Sequence, residues 1–144
     1  WLLFLFYPLD FTFVCPTELV ALNEKFADFE QRGCAIVAVS TDSVYSHLGW
    51  VKADERIGAL KYPLLSDITK SIARSYGVLL EDQGVALRGT FLVDPQGLLR
   101  FMSVNDLATG RNVDEILRVL DALRTGQPCP CNWRPGDATL PVNP

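Results

Sequence analysis

The chain has 144 residues, of which 49% are hydrophobic and 21% are charged, a balance typical of a soluble domain with a buried core. Its formal net charge of -4 argues against a nucleic acid or an anionic membrane surface as a partner, because both are negatively charged. The longest apolar run, residues 1–7, is far too short to span a membrane, and it lacks the basic flank and cleavage site of a signal peptide. We therefore interpret it as a strand.

The first part of the chain is predicted to form a parallel β-α-β unit. Residues 1–7 form a buried strand, and a helical period begins at Cys15, where Pro16 suits the first turn of a helix. Gly33 ends this helix, and residues 34–40 form a second buried strand. The apolar face of the helix consists of Leu19, Leu22, Phe26 and Phe29.

The remaining pattern alternates between strands and helices. Two short helices are predicted on either side of a brief strand at residues 63–66, and a β-hairpin is predicted around the turn at residues 95–97. A last amphipathic helix opens at Asn112 or Asp114 and closes at Gly126. Together these elements predict an α/β fold with a mixed central sheet flanked by helices.

The two ends of the chain differ from its centre. After residue 126 the sequence is rich in proline and has no helical or strand period, which predicts an extended C-terminal arm. We therefore expect a domain over residues 1–126 and an arm over residues 127–144. Because the chain starts inside an apolar strand, we also expect that N-terminal residues are missing, together with any targeting signal.

The four cysteines are Cys15, Cys34, Cys129 and Cys131. They are too few and too unevenly spread for a small secreted domain held together by disulfides, so we expect a reducing compartment, the cytoplasm. Cys34 opens an apolar strand and is predicted to be buried. His47, the single histidine, is predicted to be structural.

Cys15 lies where a strand passes into a helix. The free N–H groups and the positive end of a helix dipole favour an anion at such a position, and a thiolate is the nucleophilic form of cysteine. Free cysteines are also commonly buried without any chemical role, so position alone leaves both interpretations open.

Residues 7–18, Tyr-Pro-Leu-Asp-Phe-Thr-Phe-Val-Cys-Pro-Thr-Glu, closely resemble the active-site segment of the typical two-cysteine peroxiredoxins. This family includes the peroxidase subunit of bacterial alkyl hydroperoxide reductase and the thioredoxin peroxidases. The resemblance extends from Trp1 to about Thr139. It implies a thioredoxin-like fold and an enzyme that reduces hydrogen peroxide and organic hydroperoxides.

The resemblance assigns a role to each residue that matches the family motif. It implies that Cys15 is the peroxidatic nucleophile, that the hydroxyl of Thr12 bridges the thiolate and the peroxide, and that Pro8 packs over the site. Arg88 corresponds to the arginine that stabilises the thiolate and orients the peroxide oxygens. The supporting pair that orients this arginine is Glu18 and Arg111.

The resemblance also implies a resolving cysteine in the arm. Cys129 precedes a proline and lies four residues before Trp133, which is the family register. It would form a disulfide with Cys15 of a second subunit, so a homodimer and possibly a decamer are expected, with a thioredoxin-like or flavoprotein disulfide reductase as reductant. Cys131 is either a bystander or a rival resolver. No bound cofactor and no metal is expected, because sulfur supplies the redox centre.

The sequence also bears on three other functions. A thioredoxin-like disulfide reductase needs Cys-x-x-Cys at the helix start, where this chain has Glu18 in the fourth position. A redox-sensing or chaperone-like protein on the same fold stays open as an alternative. A metal site formed by Cys129, Cys131 and His47 lacks the paired spacing of ligands that is typical of structural zinc sites.

Overall fold

The computed structural model describes residues 1–142 of the chain. Two compact units are present, Trp1–Arg111 and Asn112–Pro144. The elements, in chain order, are β1 (Leu2–Phe6), α1 (Val14–Glu24), α2 (Phe26–Gln31), β2 (Ala35–Ser40), α3 (Val44–Ala53), α4 (Glu55–Gly58), β3 (Leu64–Ser66), α5 (Ser71–Ser75), β4 (Leu79–Leu80), β5 (Val85–Ala86), β6 (Arg88–Val93), β7 (Leu99–Asn105) and α6 (Val113–Arg124).

The first unit is built on a five-stranded mixed sheet in the order β3-β2-β1-β6-β7. Strand β1 runs parallel to β2, and β2 runs parallel to β3, as expected for strands joined by helical crossovers. Strands β6 and β7 form the predicted hairpin, and β6 lies antiparallel to β1. The predicted α/β fold with a mixed sheet is confirmed.

Strand β1 is the centre of the sheet, and both of its faces are covered. Its residues Leu3, Phe4, Leu5 and Phe6 are all buried, which explains why this segment is an apolar run rather than an alternating one. The ring of Phe6 meets that of Phe91 edge to face, with their centroids 5.7 Å apart. This packing fixes the end of β1 from which the chain enters the loop that leads to α1.

The predicted long helix after Cys15 is two helices in the structure. The break falls at Lys25, whose ψ of 8° is not helical and whose N–H bonds to the carbonyl of Leu22. The apolar period continues across the break, which is why periodicity alone did not reveal it. The small β4–β5 hairpin was also not predicted, because two-residue strands are too short to show an alternating pattern.

The second unit starts with α6, whose N-cap is Asn112, one of the two predicted positions: its side chain accepts a hydrogen bond from the N–H of Glu115. Residues 125–142 contain no helix or strand, and the N–H of Leu140 bonds to the carbonyl of Pro128. The boundary predicted after residue 126 lies inside this unit and stays a prediction. Within residues 1–142, no helix is long and apolar enough to cross a membrane.

We expect Gly89→Ala to destabilise the fold. A Cβ at Gly89 would lie 2.8 Å from a ring carbon of Phe91 and 2.9 Å from a methyl of Val78, both in the core. The expected loss is about 1–3 kcal/mol of unfolding free energy in chemical denaturation. Gly49→Ala in α3 is the control, because its Cβ would make only an ordinary contact of 3.9 Å with Phe11. Equal stability of Gly89→Ala and the wild type would contradict the packing described.

Candidate active site around Cys15

Cys15 is the second residue of α1 and its side chain is buried completely. The N-cap position is taken by Phe13, which makes no side-chain hydrogen bond to the first turn. The N–H groups of that turn therefore have no side-chain acceptor from the cap, and the helix dipole places partial positive charge near Cys15. This environment favours a negatively charged sulfur.

Arg88 opens β6 and points its guanidinium at this sulfur. The Nη1 group of Arg88 lies 3.3 Å from Sγ of Cys15 and donates to Oε2 of Glu18 at 2.8 Å. The Nε group donates to the carbonyl of Leu107 at 2.8 Å. The guanidinium is thus held at two of its nitrogens, which leaves it little freedom to turn away from the sulfur.

Glu18 lies one turn after Cys15 on α1, so the two side chains share a helix face. Its carboxylate also accepts two hydrogen bonds from the guanidinium of Arg111, both at 2.8 Å. Arg111 in turn donates to the carbonyl of Gly89, at 2.8 Å. The structure therefore brings Glu18 and Arg111 to Arg88, as the predicted supporting pair requires.

The charges in this cluster do not balance without the sulfur. The side chains of Glu18, Arg88 and Arg111 are each only 4% exposed. Arginine stays protonated in proteins, so two positive charges share one carboxylate in an environment with little water. A thiolate at Cys15 would supply the second negative charge, 3.3 Å from the guanidinium of Arg88.

Thr12 and Pro8 line a cavity of about 450 Å³ whose wall also includes Arg88. The hydroxyl of Thr12 donates to the carbonyl of Leu9 at 2.9 Å. That bond uses the hydroxyl proton, so the remaining lone pairs of Thr12 are acceptors. Thr12 and Pro8 are therefore placed beside the predicted site, with the hydroxyl of Thr12 bonded within its own loop.

The loop between β1 and α1 is held by a buried network that the sequence did not predict. The carboxylate of Asp10 accepts from the hydroxyls of Tyr7 and Ser46, at 2.7 and 2.9 Å, and contacts His47. The N–H of Asp10 donates to the carboxylate of Asp42 at 2.9 Å. The sequence does not reveal this network, because Asp42, Ser46 and His47 lie more than thirty positions from Asp10 and only Tyr7 is close to it in the chain.

Asp10, Asp42 and His47 place one potential metal-ligand atom each within 4.8 Å of one another. Their oxygens and ring nitrogens already take part in hydrogen bonds with the loop, the start of α3 and the carbonyl of Leu65. We therefore interpret the cluster as a hydrogen-bond network that holds the loop.

Both ring nitrogens of His47 lie within hydrogen-bond distance of an oxygen. Nδ1 lies 2.7 Å from the carboxylate of Asp10, and Nε2 lies 3.0 Å from the carbonyl of Leu65. Both partners are acceptors, so the imidazolium is the form that satisfies both contacts. Burial opposes this charge, but the hydrogen bonds with Asp10 and Leu65 and the nearby negative charges raise the pKa of His47 above its ordinary value.

The other three cysteines lie in contrasting environments. Cys34 is buried just before β2, as predicted. In the second unit Cys129 is half-buried and Cys131 is exposed. The side chain of Cys15 is thus shielded from solvent, whereas that of Cys131 is exposed to it.

The chain is similar to several known proteins. Residues 1–102 match the AhpC/TSA family. A thioredoxin peroxidase of Fasciola hepatica is 50% identical, with 100% of this chain and 78% of the relative aligned. A chloroplastic 2-Cys peroxiredoxin of Spinacia oleracea is 49% identical, with 96% of this chain and 55% of the relative aligned. The crystal structure of reduced Plasmodium vivax 2-Cys peroxiredoxin superposes with a TM-score of 0.92 at 46% identity, over 96% of this chain and 75% of that one.

The raised pKa of His47 predicts a pH-dependent stability. Because the pKa in the fold lies above its ordinary value of 6.5, the stabilising contribution is full below that pH and is lost as the pH rises through the pKa of the folded state. His47→Gln should therefore cost more unfolding free energy at about pH 6 than at about pH 9, by about 1.4 kcal/mol per unit of raised pKa.

Ser46→Ala is the control for this measurement. It removes an uncharged donor to the same carboxylate of Asp10, so its cost should not change over this pH range. Unfolding curves in denaturant at both pH values give the comparison. A cost of His47→Gln that is the same at both ends of the range would show that the ring is not charged in the fold.

Proposed function

This chain belongs to the AhpC/TSA family, and we propose that it is a thiol-dependent peroxidase of the two-cysteine kind that reduces hydrogen peroxide and organic hydroperoxides. The observation that carries the proposal is the contact of 3.3 Å between Arg88 and the buried Sγ of Cys15. Around it, two guanidinium groups share the single carboxylate of Glu18. Such a site stabilises the thiolate, which is the form that reacts with peroxide.

In the first step, the Cys15 thiolate attacks one oxygen of the hydroperoxide. A sulfur–oxygen bond forms as the oxygen–oxygen bond breaks, and the sulfur becomes a sulfenic acid. The other oxygen leaves as water or an alcohol after it takes up a proton. The peroxide enters the cavity lined by Pro8, Thr12 and Arg88.

Three side chains act on this step in different ways. Arg88 stabilises the negative charge as it moves from sulfur to the leaving oxygen, and it does so with a guanidinium already fixed in place. Thr12 accepts a hydrogen bond from the peroxide, because its own proton is donated to Leu9. Pro8 covers the site and keeps water away from the sulfur. Glu18 and Arg111 position Arg88.

In the second step, the thiol of Cys129 attacks the sulfenic acid of Cys15 on another subunit, which forms a disulfide and releases water. A dithiol protein or a flavoprotein disulfide reductase then restores both thiols. A thioredoxin-type reductant is supported by relatives that are named thioredoxin peroxidases. Location in the cytoplasm stays a prediction.

Two exposed apolar surfaces support assembly into a homodimer and a decamer. Strand β7 lies at an edge of the sheet, where Leu99, Met102 and Val104 are exposed. An edge of this kind pairs readily with the same edge of another copy. The second set, which we call the aromatic patch, consists of exposed apolar side chains in the loop before α1 and in the first half of α3: Phe11, Phe13, Val44, Tyr45 and Leu48, with Phe13 95% and Tyr45 80% exposed. One surface suits the dimer and the other suits contacts between dimers.

Cys15→Ser should abolish catalysed peroxide consumption in the presence of a dithiol reductant, because no other described cysteine lies beside Arg88. Cys34→Ser is the matched control, since it removes a buried thiol outside the site. The rate of peroxide loss is measured for both variants and the wild type. Turnover by Cys15→Ser at the wild-type rate would contradict the proposed function and would favour a sensing or chaperone-like role.

Tyr45→Asp should disrupt assembly through the aromatic patch, because it places a charge where apolar surface is expected to be covered. Sedimentation velocity should show a smaller particle than for the wild type. Ile68→Asp is the control, because Ile68 is exposed at 55% and lies outside the patch. The assignment of the patch to an interface is wrong if both variants sediment like the wild type.

A further inference from the structure

Cys131 lies at the tip of a tight turn formed by residues 130–133. The N–H of Trp133 donates to the carbonyl of Pro130 at 3.1 Å, and Asn132 has the positive φ of 61° that the third position of such a turn favours. Cys131 takes the second position and its side chain is exposed.

The base of this turn is anchored on the second unit. Nη1 of Arg118 donates to the carbonyl of Trp133 at 2.8 Å, and the buried indole of Trp133 donates to the carbonyl of Asp137 at 3.1 Å. The thiol of Cys131 is therefore presented to solvent by an anchored turn.

Cys129, two residues earlier, lies in a different environment. Its Sγ is 3.5 Å from the hydroxyl of Thr125 and within 3.7 Å of the carbonyls of Ala122 and Gln127. These contacts hold the sulfur against its own unit, and Cys129 is half-buried. Both cysteines line one cavity of about 590 Å³, whose wall also contains the guanidinium-bearing Arg118.

We propose that Cys131 is an exchange thiol that accepts the disulfide from Cys129 and is the point at which electrons enter. This inference rests on the proposed function. The Cys131 thiolate attacks Sγ of Cys129 in the disulfide that joins it to Cys15. The new bond joins Cys129 to Cys131, the bond to Cys15 breaks, and Cys15 leaves as a thiolate with the bonding electron pair. A dithiol protein then reduces the Cys129–Cys131 disulfide and is itself oxidised to a disulfide.

Three physical reasons favour this route. Cys129 and Cys131 are only two residues apart in the chain and line the same cavity, so the effective concentration of one sulfur near the other is high. The leaving sulfur is the one that Arg88 stabilises as an anion, and a stabilised thiolate leaves faster. A protein reductant needs an exposed sulfur, which Cys131 offers and the fully buried Cys15 does not.

The test treats reduced wild type, Cys131→Ser and the matched control Cys34→Ser with one equivalent of hydrogen peroxide, followed by acid quenching and alkylation. In the wild type and the control, mass spectrometry should find Cys129 and Cys131 disulfide-linked within one peptide. In Cys131→Ser, the Cys15–Cys129 dimer should accumulate on non-reducing gels. Steady-state turnover with a dithiol protein such as thioredoxin should fall about tenfold or more.

Two results would overturn the inference while leaving the proposed function intact. One is that Cys131→Ser turns over peroxide at the wild-type rate and that no Cys129–Cys131 disulfide is found in the wild-type protein. The other is a Cys15–Cys131 dimer in the wild type that persists in Cys129→Ser and vanishes in Cys131→Ser, because Cys131 would then be the resolver. If peroxide leaves Cys15 unoxidised in the wild type, the proposed function itself fails, and this inference fails with it.

Discussion

Two buried guanidinium groups share one carboxylate next to Cys15, and the arrangement of the site depends on this imbalance. Burial of charged groups is costly unless they are paired and hydrogen-bonded. Glu18 pairs with both Arg88 and Arg111, but it carries only one negative charge. The sulfur at 3.3 Å from Arg88 is the group that completes the balance when it is ionised. The same contact therefore bears on both the stability of the folded site and the reactivity of the sulfur.

The fold brings these four side chains together from separate parts of the chain. Cys15 and Glu18 share a face of α1, Arg88 opens β6, and Arg111 follows β7. Gly89 allows the close packing of β6 at this point, since a Cβ there would meet Phe91 within 3 Å. Helix α1, strand β6 and the segment after β7 thus each contribute charged groups to the cluster, and the loop before α1 lines the cavity beside Arg88.

The residues of the charged cluster were predicted from the resemblance of the chain to a known family, which covers Cys15, Glu18, Arg88 and Arg111. The Asp10 network was not, since hydrogen bonds between positions more than thirty residues apart leave no local pattern. His47 was expected to be structural, but the charge that its environment favours depends on Asp10 and the carbonyl of Leu65, which are distant from it in the sequence. The break at Lys25 escaped prediction because the apolar period runs across it.

Ultraviolet absorbance of the thiolate tests the central claim most directly. The reduced wild type minus Cys15→Ser isolates this sulfur, because the other three cysteines are common to both proteins. At neutral pH the account predicts thiolate absorbance in this difference spectrum. The same difference measured in the Arg88→Gln background, with and without Cys15→Ser, should lack the thiolate absorbance. In the Arg88→Lys background more of the thiolate absorbance should remain. Circular dichroism spectra of the variants serve as the control that each variant is folded. A protonated Cys15 at neutral pH in the wild type, or an equal thiolate signal without the guanidinium, would contradict the account.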